Sequence, residues 1–191
     1  MFGHGHNPKD FIFKATKPEG ELDVWKNRHG DVVTRAYVQL PWPLAETDED
    51  FHARARDHGA SREAGLIEAI RDDGRGYAWW IHKRKHGLGY VFMGMRLWRH
   101  GIWSTMIGEC GTTGVREAAV TQDLLNSGEL TFETYEERFG GDPYDPAKAV
   151  SEVRLRRFLS DDPKWDKRFP EHALTRTRLL LHALPGAVTP A

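Results

Sequence analysis

The chain has a single cysteine, Cys110, which excludes an intrachain disulfide and any metal site built from several cysteines. It has no run approaching the ~20 apolar residues of a membrane span. Its opening residues, MFGHGHNPKDFIF, lack the basic end and apolar core of a signal peptide. Charge of one sign is not in excess either: 27 Lys and Arg face 28 Asp and Glu, which argues against a general nucleic-acid or membrane-surface protein. HExxH, CxxC, GxSxG and P-loop runs are all missing, so no metal or cofactor is expected. These absences point to a cytoplasmic globular protein. At 191 residues the chain is long enough for one domain with a real core. That domain is expected to fill residues 1–191, with 1–9 a flexible N-terminal tail and 140–191 a helical C-terminal extension packed on the core.

The balanced total conceals blocks of opposite sign. Residues 41–73 hold four basic and nine acidic side chains, 74–108 hold six basic and none acidic, and 109–152 hold three and ten. The basic block also carries Trp79, Trp80, Trp98 and Trp103. A basic aromatic sheet neutralised by acidic helices of the same chain accounts for this most simply.

Strands are expected at Asp10 to Lys14, Leu22 to Lys26, Val32 to Leu40, Tyr77 to Lys85, Tyr90 to Arg99 and Ile102 to Glu109. Each is rich in aromatic or β-branched residues and bounded by glycine or proline breaks. A two-residue turn at His100-Gly101 would pair Trp98 with Trp103, Met95 with Met106, and Cys110 with Val91. Alternation then puts Val91, Met93, Met95, Leu97, Ile102, Ser104 and Met106 on one face, a nearly clean core surface. Tyr90, Phe92, Arg96, Trp98, Trp103, Thr105, Ile107 and Glu109 fall on the other. Both faces are too apolar for open water, so either helices cover both or one face binds something.

Thr47 followed by Asp48, Glu49 and Asp50 marks a helix start, with Gly59 as its stop. Helical spacing suggests a second helix from Ser61 to about Asp73, a third over Gly114 to Asn126, and a short one from Thr131 to Phe139. Val150 to Leu159 and Leu174 to Leu184 complete the helices. The resulting fold class is α+β, an antiparallel β-sheet flanked by helices in an α/β/α sandwich-like layout.

Among candidate chemistry, His82 and His86 have the spacing of a helical zinc pair but lie in strand and turn, and do not converge. Cys110 sits in the glycine-rich connection Gly108-Glu109-Cys110-Gly111-Thr112-Thr113-Gly114, where a helix start could favour an anion or a thiolate. An enzyme reading would use Cys110 or Glu109 there, with Arg116 holding an anion. A single-strand nucleic-acid reading would stack bases on Trp98 and Trp103 beside Lys83, Arg84, Lys85, Arg96 and Arg99.

The central hairpin GYVFMGMRLWRHGIWSTMIGE followed directly by the helix GVREAAVTQDLLNSG resembles the layout of PsbP-like α/β/α sandwich proteins, including the bacterial LpqN and DcrB groups. The resemblance covers roughly residues 10–128 and is one of layout, so no site residue is carried over. It implies a bacterial binding or accessory protein rather than an enzyme. The expected role is engagement of a protein partner or small ligand, with nucleic acid a lesser alternative and no membrane. The expected surface is Trp79, Phe92, Arg96, Trp98, Trp103 and Glu109, provided the chain's own helices leave it uncovered.

Overall fold

The computed structural model describes residues 12–16, 22–38, 40, 44, 46–135, 144, 147 and 157–184. In chain order these form β1 (Ile12–Thr16), β2 (Leu22–Lys26), β3 (Val32–Ala36), α1 (Asp48–Ala60), β4 (Gly65–Asp72), β5 (Tyr77–His86), β6 (Gly89–Trp98), β7 (Gly101–Gly108), α2 (Val115–Asn126) and α3 (Ala173–Ala183). Two single 3-10 turns, Leu159–Asp161 and Pro163–Trp165, lead into α3. The seven strands make one open antiparallel sheet in the order β1-β2-β3-β7-β6-β5-β4. The fold is therefore α+β with an antiparallel sheet.

One expectation is overturned: the helix read from Ser61 onward is instead the edge strand β4. Its apolar residues mimic helical spacing because a bulge between Leu66 and Glu68 interrupts the alternation. Leu66 joins the core on one face of the sheet while Ile67 joins the core on the other. Pairing with β5 from Asp72↔Tyr77 to Gly65↔Lys83 then overrides the local pattern.

The β6–β7 turn also sits one residue earlier than expected. Trp98 pairs with Gly101, Arg96 with Trp103 and Met93 with Met106, leaving Arg99 and His100 in the loop. Each strand slips against its partner by two residues, so every side chain keeps the face it was assigned. Cys110 lies beyond the ladder, and Gly108, not Cys110, faces Val91. Residues 150–156 of the expected helix over Val150 to Leu159, and the end of the one from Thr131, fall outside the described residues, while 157 and 158 are not helical and Leu159 opens a 3-10 turn.

Helices lie on both faces. Capped by Thr47, whose hydroxyl accepts from the Asp50 amide at 3.1 Å, α1 packs Phe51 and Ala55 against Leu66, Ala69, Ala78, Trp80 and Leu97. On the opposite face α3 sets Leu174, Leu180 and Leu181 against Trp79, Phe92, Trp98, Trp103 and Ile107. A third small core joins Val120 and Leu124 of α2 to Leu130, Leu159, Trp165 and Phe169.

The helix α3 is held by cations of its own as well as by its leucines. Arg176 reaches Asp31 in the β2–β3 turn at 2.6 Å, and Arg178 reaches Glu68 on β4 at 2.7 Å, so one helix ties strands from both halves of the sheet. Close approach at the middle requires Gly94. A Cβ there would stand 2.6 Å from Thr105 Oγ1, 2.8 Å from Leu181 Cδ1 and 3.0 Å from Thr177 Cγ2. Gly94→Val is expected to cost about 1–3 kcal/mol by overpacking, lowering the melting temperature by about 2–4 °C per kcal/mol. Thermal unfolding checks this, and an unchanged midpoint would contradict the seating of α3 on β6.

Candidate functional site

The aromatic face does not meet the condition set for it. Trp79, Phe92, Arg96, Trp98 and Trp103 are each no more than 6% exposed, because α3 lies over them. The two charged residues of that face serve the helix itself. Arg96 donates from Nη1 to the carbonyls of Leu181 at 2.5 Å and Leu184 at 2.6 Å, which satisfies orphan acceptors at the C-terminal end of α3. At the other end His172 is the N-cap, its Nδ1 accepting from the Leu174 amide at 3.2 Å while its Nε2 meets Glu109 at 3.1 Å. Burial pushes the Glu109 carboxyl up, but hydrogen bonds from His172 and the Tyr90 amide outweigh it and hold the group below its usual range.

The residues of the two other readings are engaged in a similar way. Arg116 is buried and donates to Ser160 O, Asp166 Oδ1 and Thr175 Oγ1, tying α2 to α3 and to the segment before it rather than holding an anion. The Cys110 thiol is exposed rather than buried. Its polar neighbours are the carbonyls of His29 and Gly108, neither of which can take its proton. Lys83 is fully buried against Asp161 at 2.5 Å. With Lys83, Arg96, Trp98 and Trp103 inside, the surface needed to stack and track a nucleic-acid strand is not presented.

Glu109, Glu117 and His172 bring ligand-type atoms within 4.8 Å of one another, the arrangement nearest to a metal centre among the described residues. The tautomer opposes that use. Because His172 Nδ1 accepts a backbone N–H, the neutral ring carries its proton on Nε2, the nitrogen that faces both glutamates. The trio is a helix latch.

The opposite face is where the chain leaves room. Helix α1 covers β4 and β5 but stops short of the sheet's centre, and a cleft of about 230 Å³ opens beside it. Register builds its floor from two rows of cross-strand partners. His82, Met93, Met106 and Val32 make one row across β5, β6, β7 and β3, and Trp80, Met95, Ser104 and Thr34 make the next. His58 and Arg62, from the C-terminal end of α1 and the turn beyond it, form the wall. Three of the chain's four methionines therefore lie in one floor, and Met106 is 46% exposed.

The imidazoles at the wall are locked together. His82 Nε2 meets the Ala55 carbonyl at 2.7 Å and is the donor, since that oxygen can only accept. The His58 ring stacks on it at 5.4 Å. The approach of α1 depends on Gly59, where a Cβ would lie 2.5 Å from the His82 ring. Burial lowers His82 to about 4, and burial followed by the Arg62 charge lowers His58, so both rings are neutral near pH 7. Two polar atoms of residues around the cleft, Trp80 Nε1 and His58 Nδ1, are buried without a hydrogen-bond partner. Orphaned atoms elsewhere in the described residues, such as Trp98 Nε1, belong to residues that do not line the cleft.

Comparison of the chain with family models, with curated proteins and with solved structures finds no match. The site therefore rests on geometry alone. Sequence reasoning missed His58, Arg62, Trp80 and His82 as lining residues and took the whole methionine face for core, where Leu97 is core with Met95 and Ile102 packed against it but Met106 is exposed. The usable signal was the trio Met93, Met95 and Met106, one soft and adaptable side chain repeated on a single face.

Protonation of His82 supplies a test. Its folded-state pKa lies below its value of 6.5 in an unfolded chain, so between roughly pH 6.5 and 4 the unfolded state binds the extra proton. Stability is then fully present above pH 6.5 and falls as the pH drops, by up to about 1.4 kcal/mol per pH unit. His82→Gln is expected to make the decline in melting temperature between pH 7 and pH 5 shallower. A decline as steep as in the native chain would contradict the buried neutral ring.

Proposed function

We propose that this is a non-enzymatic binding protein whose ligand is a small, mainly apolar molecule seated in the methionine-floored cleft beside α1. The observation that carries the reading is the unequal cover of the sheet: one face is sealed under α3, while the other leaves Met93, Met95 and Met106 partly exposed in a walled recess. Methionine suits this task, because its unbranched thioether chain adapts to different apolar shapes. The volume falls below the roughly 300–1,000 Å³ of sites for drug-sized ligands, which favours a short molecule. The walls favour a small ligand over the flat apposition of a protein partner. The resemblance in layout to PsbP-like proteins supports a binding role, and among the described residues the hydrogen-bond partners of the Cys110 thiol are carbonyls, which gives the enzyme reading no general base.

Selective 13C-methyl labelling of methionine provides the experiment. Titration with octanol and with octanoate is expected to shift the Met93, Met95 and Met106 resonances saturably for at least one of the two probes. Met95→Glu, which places a charge in the floor, is expected to abolish those shifts while the melting transition remains cooperative. The absence of any saturable shift at millimolar probe would overturn the reading.

A further inference from the structure

We infer that the cleft selects an apolar ligand ending in a carboxylate, its acid group held by Arg62 at the rim and its body lying on the methionine floor. The inference rests on the binding role proposed above and adds the chemical class of the ligand.

The polar inventory of the wall carries the argument. Among the described residues, Arg62 is the one charged side chain that lines the cleft, and no Asp or Glu lines it. Arg62 Nη1 is engaged with the His58 carbonyl at 3.1 Å and the Ser61 hydroxyl at 3.1 Å, which orients the guanidinium at the rim through a single nitrogen of its fork. The indole N–H of Trp80 is buried out of reach of the cleft, so Arg62 is left as the polar group that meets a ligand from the wall. His58 Nδ1, also without a partner, either donates or accepts and does not alter the balance. A rim carrying one positive charge above an apolar floor is complementary to an anion with an apolar body, and the planar fork of Arg fits a carboxylate. Behind that wall Met93, Met95, Met106 and Val32 offer no further charge, so the remainder of the ligand is apolar.

The test compares octanoate with octanol, which share a chain length and differ at the polar end. Affinities are read from the methionine methyl shifts at pH 7.5, where octanoate is ionised. Octanoate is expected to bind about tenfold or more tightly than octanol, the effect of one charge-assisted hydrogen bond. Arg62→Gln is expected to remove most of that preference while leaving octanol unchanged, and Arg62→Lys to restore part of it. Equal affinities for the two probes, unaffected by Arg62→Gln, would overturn the inference and leave the binding role standing. Saturable binding of neither probe would overturn both.

Discussion

The seat of α3 on the aromatic face determines the rest of the structure. Leu174, Leu180 and Leu181 sit against Phe92, Trp98 and Trp103, and burial of apolar surface on that scale, at roughly 25 cal/mol per Å², drives the docking. Once the helix is down, its ends must be satisfied away from water. Arg96 closes the C-terminal carbonyls, and His172 with Glu109 closes the N-terminal end. Cations of α3 then reach outward, Arg176 to Asp31 and Arg178 to Glu68, so the helix fixes strands far apart in the sheet order. Buried pairs of this kind add less to stability than their number suggests, but removing one partner leaves an uncompensated charge. They specify where the helix sits.

The opposite face follows from that arrangement. Its cover comes from α1, thirteen residues long and placed over β4 and β5, with Leu44 filling in beside it. The sheet is wider than one such helix, and the excess, at β6, β7 and β3, becomes the floor of the cleft. The limits of α1 are set locally: the Thr47 capping box starts it, and Gly59 lets its last turn settle on His82. The wall that carries Arg62 and His58 is therefore a consequence of where the helix ends.

Much of the fold was legible because it is written in short-range patterns. Aromatic and β-branched runs marked six of the seven strands, and the faces of β6 and β7 survived a two-residue slip because side chains repeat every two positions. Strand β4 was not legible, since the bulge at Leu66 to Glu68 makes its apolar residues fall at helical intervals. The site was legible only in part. Alternation separated the tryptophan face from the methionine face, but nothing local says which is sealed. That outcome depends on a helix that begins at Ala173, far downstream of Trp98 and Trp103, and on Arg96 and Glu109 having partners there. Charged residues within an aromatic face read as specificity groups until the helix ends they cap are known.

Oxidative footprinting read by mass spectrometry tests the orientation of the sheet most directly. Peroxide converts accessible methionine to its sulfoxide, and hydroxyl radicals mark accessible tryptophan. The account predicts that the native protein gains oxygen at Met106 first and at Met93 and Met95 more slowly, while Trp79, Trp98 and Trp103 are protected until the chain unfolds. Rapid labelling of those tryptophans with the three methionines intact would mean that α3 does not cover the aromatic face, and the cleft assignment would fall with it.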